Sequence, residues 1–382
     1  MNRLLVIPAV YTAVLLLSSC RSTDADGAAG EVASLDLGAT ATCEFRPLAS
    51  SHDAVQLTDV QAIDVDGQGN IYVADPLKAA VVVLAADGRP LRDIGRKGEG
   101  PGEFDYIRNV QVLPGDSLLV FDHGLHRTTV FAQGSDKAAY LVDHAAQGLV
   151  PPNWVERVPG SPLLFATFRD AVTAGANGTN DADLKQAVRL LDAQGGLVRD
   201  SVLVTPASNE VLIARQGGSV AVTKNPFGRP SLFRVGDDGR IYYARGDSLA
   251  IGIYSTEGQR VGGFSLRHTA PRVTGSDLSA AVEANQGNQM IMNAMRQQAP
   301  ERWPALRNFV LDERGLIWVG VVTPANEPTR WVAFDTTGKA VCSTSLPRSV
   351  DLKRIRGGNA YGVQVDELDV PRIVVYSIAY SN

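Results

Sequence analysis

Short runs of β-branched, aromatic and aliphatic residues, broken by Asp- and Gly-rich turns, set the rhythm of this chain. Residues 60–94, VQAIDVDGQGNIYVADPLKAAVVVLAADGRPLRDI, divide into runs at 60–65, 70–75, 80–85 and 90–94. Asp66-Gly67-Gln68-Gly69 separates the first two runs and Asp87-Gly88 the last two. Gly and Asp supply the special backbone conformations and side-chain bonds that tight antiparallel turns need. The Val, Ile and Tyr residues between them suit a pleated strand. The unit predicts a four-stranded meander with strands a to d.

The unit recurs. The end of strand b falls at Asp75, Asp122, Arg169, Arg245, Gly320 and Asp366, at intervals of 47, 47, 76, 75 and 46 residues. Two intervals therefore carry an insertion on top of one basic unit. Strand c follows as VVVLAAD, TTVFAQG, AVRLLDAQG, IGIYSTEG, WVAFDTTG and RIVVYSI. Six copies predict an all-β, six-bladed β-propeller over residues 42–382, in which radial repetition protects the strand edges. The sixth copy stops after strand c, and a strand-like segment within Thr42–Leu57 precedes the first strand a. The N-terminal strand is predicted to close the last blade.

Residues 71–104 (IYVADPLKAAVVVLAADGRPLRDIGRKGEGPGEF) resemble an NHL-type repeat followed by its inter-blade loop. Asp122-His123-Gly124-Leu125-His126-Arg127 with Val130-Phe131 is similar to the b–c loop and strand c of the same repeat. The chain resembles bacterial six-bladed propeller lipoproteins over residues 43–380. That resemblance implies a fold and an exported location. It implies no single activity, because propellers host lyases, lactonases and binding modules alike. In blade 1, Leu77-Lys78-Ala79-Ala80 replaces the usual Gly-Asn-x-Arg.

The first residues carry an address. In MNRLLVIPAVYTAVLLLSSC, Arg3 precedes an apolar run from Leu4 to Leu17. At 1.5 Å per residue such a run spans about 21 Å, short of a hydrocarbon core of about 30 Å. Residues 1–19 read as a removable signal peptide. Leu17-Ser18-Ser19-Cys20 resembles the bacterial lipobox, which implies lipidation of Cys20 and a membrane partner through that lipid. Arg21 in the next position implies, by the same resemblance, sorting to the outer membrane of a diderm envelope. Residues 20–41 read as a flexible tether. The formal net charge is −5, and removing Arg3 with the leader makes it −6. This balance offers nucleic acid no bulk attraction. With 45% apolar and 20% charged residues the chain has the usage of a folded globular protein.

The long segments, 170–185, 205–230, 267–304 and 322–330, all fall in b–c or d–a connections, which share one side of a propeller. Long loops on a rigid scaffold predict a binding face there. Its candidate residues are Asp75, Lys78, Asp122, His123, His126, Arg127, Arg169, Arg245 and Asp366. The insertion at 275–303 predicts a small helical element, capped by Thr274 or Ser276 and interrupted at Gly287. Leu278, Val282, Ile291, Met292 and Met295 are its candidate surface for a partner or a lid. Asp75, Asp122 and Asp366 raise the option of Ca²⁺, but repeat-matched Asp residues serve turns more often. No His-Glu-x-x-His, Cys-x-x-Cys, Gly-Lys-[Ser/Thr] or Gly-x-Ser-x-Gly occurs, so no cofactor is predicted. Cys43 and Cys342 are expected to stay unpaired, on splayed outer edges of neighbouring blades. Two functions fit: a non-enzymatic binding or scaffold module for a protein, peptide or glycan, and a metal-dependent lactonase- or lyase-like envelope enzyme. The first is preferred.

Overall fold

The structure, a computed structural model, describes residues 40–51, 55–147, 151–169 and 184–380. The leader, Cys20 and nearly all of the tether lie outside the described residues, as do residues 170–183 of the blade 3 loop.

Strand β1 (Cys43–Ser50) stands first in the chain, and six meanders follow. Blade 1 holds β2 (Ala62–Val65), β3 (Ile71–Asp75), β4 (Ala80–Leu84) and β5 (Pro90–Ile94). Blade 2 holds β6 (Ile107–Val112), β7 (Leu118–Asp122), β8 (Arg127–Phe131) and β9 (Ala138–Asp143). Blade 3 holds β10 (Trp154–Arg157), β11 (Leu164–Arg169), β12 (Lys185–Leu191) and β13 (Leu197–Pro206). A separate hairpin, β14 (Val211–Gln216) and β15 (Ser219–Lys224), follows it. Blade 4 holds β16 (Ser231–Val235), β17 (Ile241–Arg245), β18 (Leu249–Tyr254) and β19 (Arg260–Leu266). Helices α1 (Gly275–Glu283) and α2 (Gln289–Gln298) lead to blade 5, which holds β20 (Leu306–Leu311), β21 (Ile317–Val321), β22 (Thr329–Phe334) and β23 (Ala340–Leu346). Blade 6 holds β24 (Val350–Arg356), β25 (Asn359–Val365) and β26 (Pro371–Tyr380). Among the described residues no helix is long and apolar enough to cross a membrane.

The ring closes as the repeat arithmetic predicts. Sheet order in the last blade is β1-β26-β25-β24, with Cys43 opposite Tyr380 and Ser50 opposite Val374. The N-terminal strand is thus the outer strand of blade 6. The glycine of the blade 1 c–d turn lies under its end: a Cβ on Gly88 would sit 2.0 Å from the Ser50 carbonyl oxygen. The main apolar clusters bridge neighbouring blades, as between blades 5 and 6, where Trp318 and Trp331 are buried with Leu352 and Val374. The Trp318 indole donates to Asp312 Oδ2 at 3.0 Å, so burying its N–H leaves no orphan.

The cysteine expectation is overturned. Cys43 and Cys342 form a disulfide, with Cα atoms 5.4 Å apart and both residues buried. Splaying of the outer edges does not separate them, because the chain before β1 crosses over to blade 5. Thr42 bridges Ser343 in parallel, and the Ser343 N–H donates to the Ala41 carbonyl at 2.8 Å. The crossing brings the start of β1 against β23.

The insertion expectation is half right. Two helices form: Thr274 caps the first, its side chain accepting from the Asp277 N–H while Asp277 bonds back, and Asn288 caps the second by accepting from the Ile291 N–H. Gly287, at φ 96°, turns the chain between them. The apolar stripe is not free, however. Val282, Ile291 and Met295 are buried against Leu212 and Ala214 of β14, with Leu278 and Met292 packed partly exposed at the margin. The 205–230 segment, expected as a loop, supplies the hairpin that covers them. The two insertions have built a shared small core.

Candidate functional site: the central channel and its mouth

Strand a of each blade runs along the axis, leaving its backbone edge unpaired. An unpaired inner edge must be satisfied. Side chains do this by reaching from one blade to the next. Asp64 Oδ2 of blade 1 accepts from the Val112 N–H of blade 2 at 2.8 Å. From blade 2, Asn109 donates to the Val155 carbonyl at 2.9 Å, and Gln111 exchanges two bonds with the Arg157 backbone at 3.0 and 2.7 Å. Glu156 of blade 3 accepts from the Val235 N–H of blade 4. Arg234 donates to Asn308 Oδ1 of blade 5 at 2.8 Å, and Asn308 donates to the Leu352 carbonyl of blade 6 at 2.8 Å. Arg354 of blade 6 pairs with Asp64 at 3.0 Å. The belt therefore runs once round the ring and returns to its start.

The same side chains coat a channel of about 850 Å³, which is the size of a small-ligand site. Its electrostatics are uneven. Burial pushes the Glu156 carboxyl up to about 7, against the nearby charges of Arg234 and Arg354 that hold it down. Its Oε1 is shut off from solvent without a partner. Burial likewise lowers the Arg234 guanidinium from its ordinary value. Asp351 opposes burial through Lys353, 2.9 Å away, and through Asn308, so its carboxyl stays below the ordinary carboxylate range. At the end carrying the d–a connections the lining continues through Glu210, Lys224, Asn225, Arg307, Thr323 and Arg348. The base of hairpin β14–β15 reaches this mouth through Glu210, Lys224 and Asn225, and the two helices pack on the hairpin.

The sequence-predicted residues sit on the same side of the ring, but none of them lines the channel. Asp75 and Asp122 are completely buried. The Asp75 carboxylate accepts from the Thr58 N–H at 2.8 Å, from the Thr58 hydroxyl and from the Lys78 N–H at 3.1 Å. Asp122 repeats the pattern on Asp105, Tyr106 and Leu125 N–H groups at 2.6, 3.1 and 2.9 Å. Each carboxylate ties its b–c turn to the chain entering strand a, so these two do not face a ligand. Asp366 is a third kind of group, an exposed turn residue accepting from Leu368 and Val370 N–H groups. The three carboxylates do not converge for Ca²⁺, and among the described residues no three His, Cys, Asp or Glu side chains form a metal-ligand cluster.

The remaining candidates except His126, whose Nδ1 is shut off from solvent without a hydrogen-bond partner, are also bonded within the fold. Arg127 is buried and donates to the Glu99, Gly100 and Glu103 carbonyls, pinning the inter-blade loop. Lys78 pairs with Asp93 at 3.1 Å. Arg169 donates to the Ser208 carbonyl at 2.8 Å, and Arg245 pairs with Asp247 at 2.7 Å. His123 and His126 stand edge to face, with ring centres 5.6 Å apart. His123 Nδ1 lies 3.2 Å from the Pro152 carbonyl oxygen, and burial followed by the Arg108 charge lowers its pKa.

A family profile described as a 6-bladed beta-propeller (DUF5128) matches residues 28–129. A search of curated proteins finds no match. Among solved structures, a Bacteroides fragilis protein described as exported superposes with a TM-score of 0.52 at 11% identity, over 92% of this chain and 98% of that one. A Bacteroides vulgatus protein of the duf4221 family gives 0.49 at 9% identity, over 90% and 99% of the two chains. Virginiamycin B lyase from Staphylococcus aureus gives 0.44 at 9%, over 88% and 100%. At such identities these likenesses speak to fold alone. The family profile, the likeness to the Bacteroides fragilis protein and the six four-stranded sheets together make this chain a six-bladed β-propeller.

Proposed function

We propose that the protein is an exported, lipid-anchored, non-enzymatic binding module whose ligand seats at the channel mouth beside the insertion module. One observation carries this reading. Two insertions on either side of blade 4 fold onto each other, with their own apolar core, at one end of a polar channel. Independent drift in two surface loops does not explain a shared core. Thr223 of the hairpin also donates to Asn285 between the helices at 2.8 Å, so polar as well as apolar contacts join the two. The leader and the lipobox-like Leu17-Ser18-Ser19-Cys20 support export and anchoring.

The test removes both insertions together, because deleting 275–298 alone would strand Leu212 and Ala214 in water. Replacing 210–225 and 275–298 each by a short Gly/Ser linker should leave the propeller's thermal melt nearly unchanged, since loop length costs little. Partner retention in native envelopes should fall to background. A doubly shortened propeller that keeps its partner contradicts the proposal.

A further inference from the structure

We propose that the channel mouth is a carboxylate site for the end of an extended peptide, held by Lys224, Arg307 and Arg348 and flanked by the outer face of hairpin β14–β15. This deepens the binding-module reading and rests on it.

Lys224 ends β15, Arg307 stands near the start of β20, and Arg348 lies in the turn between β23 and β24. All three are exposed into the same end of the channel. The hydrogen bonds the two arginines make are to carbonyls. Arg307 Nη2 donates to Pro226 at 3.1 Å, and Arg348 Nη1 donates to Thr323 at 3.1 Å and Pro324 at 2.8 Å. Each bond anchors the side chain through one nitrogen and leaves other guanidinium donors available. The acids nearby form no ion pair with these three cations among the described residues: Glu210 accepts from the Ser208 hydroxyl at 2.8 Å and Asp351 pairs with Lys353, while both charges act on Arg307 from a distance. Desolvation by the channel walls first, and then the Arg348 charge, lower the Arg307 pKa, against the opposing charges of Glu210 and Asp351. Like charges held together by loop bonds are relieved when an anion arrives. A guanidinium fork matches a planar carboxylate with two parallel bonds.

The site is preorganised by the insertion. Arg307 lies over the Trp303 ring at 5.0 Å, Trp303 packs edge-on against Phe227 at 4.8 Å, and its indole donates to Asp277 of α1 at 3.2 Å. The hairpin supplies the rest. Ala221 and Thr223 turn toward the helices, so alternation puts Val220, Val222 and Lys224 on the opposite face. On that face Val211, Val220 and Val222 are 38, 54 and 61% exposed. Among the described residues no third strand joins this two-stranded sheet. A peptide strand added there would cover the valines with alternate side chains and bring its terminal carboxylate to Lys224.

The probe is a pool of N-acetylated random heptapeptides with free C-terminal carboxylates, run against the same pool as C-terminal amides. Peptides retained by the intact protein are counted by mass spectrometry. The free-acid pool should be retained at least tenfold over the amide pool, and less so as salt rises. Arg307→Gln with Arg348→Gln should abolish the preference. Lys224→Gln, at a side chain with no hydrogen bond or ion pair among the described residues, should weaken it at least threefold at an unchanged melt. Equal retention of both pools, retention of neither, or indifference to all three substitutions overturns the proposal. Displacement by millimolar inorganic phosphate without any free-acid preference also overturns it, in favour of a phosphate site. If deletion of both insertions still abolishes partner retention in envelopes, the broader reading survives that failure; if it does not, both fall.

Discussion

Replacing Cys43 and Cys342 by Ala should destabilise the propeller more than any single surface change. The bond spans 299 residues of sequence. In the chain-entropy description, closing a loop of that length removes from the unfolded chain a freedom worth about 5–6 kcal/mol at 25 °C. Measured disulfides reach about 5 kcal/mol, which bounds the expectation from above. The described propeller runs from Cys43 to Tyr380. At about 2 cal/mol/K per residue its unfolding entropy is about 0.7 kcal/mol/K, so a loss of about 4–5 kcal/mol lowers the midpoint by about 6–7 °C. The two single substitutions and the double one should melt alike, because each removes the same bond. Wild type held in reductant should join them. The assay is a set of thermal melts with and without reductant, beside mass-spectrometric counting of alkylated thiols in the untreated protein. A shift below 1 °C, or two free thiols in protein prepared under oxidising conditions, refutes the reasoning.

Other predictions follow from buried charges and from the proposed anchor. Asp122→Ala orphans three N–H groups and should cost about 3 kcal/mol or more in denaturant unfolding, whereas Asp366→Ala in its exposed turn should cost under about 1 kcal/mol. Glu156, raised to about 7 by burial, holds a proton in the fold that the unfolded chain releases, so stability falls as pH rises from about 4.5 to 7. Glu156→Gln should flatten that fall and stabilise by on the order of 2–3 kcal/mol at pH 8; an unchanged pH profile would contradict it. His144 is buried, with its pKa lowered to about 4 from 6.5, so its contribution is full above pH 6.5 and is lost as pH falls through 4. Acid unfolding of His144→Gln, followed by circular dichroism, should show a shallower slope in that window. Cys20→Ala should move the protein from the membrane pellet to the soluble fraction or leave uncut precursor, and wild type already free of lipid would refute the anchor.

The fold was legible because its information is periodic. Asp75 and Asp122 recur at a fixed interval, the turns carry Asp-Gly, and the missing strand of the last blade has its counterpart before Ala62. The site was not legible for the same reason. Strand-b ends such as Asp75 stand out in the sequence because they repeat, yet their similarity between blades marks shared turn geometry. The channel belt is built from residues that differ from blade to blade: Asp64, Gln111, Glu156 and Arg234. A weak signal was present, since each of these polar residues directly follows an apolar residue in strand a. The disulfide and the insertion core depend on which distant segments meet, on Thr42 crossing to Ser343 and on Leu212 meeting Ile291. Local pattern carries neither fact.

The binding face itself is tested most directly by paired photo-cross-linking in whole envelopes. One photoreactive residue replaces Val222 on the hairpin's outer face, and another replaces Gln68 in an a–b turn on the opposite side of the ring. Illumination should give a discrete cross-linked species from position 222 and none from position 68. Equal labelling from both positions, or a discrete species from position 68 alone, would contradict the assignment of this face.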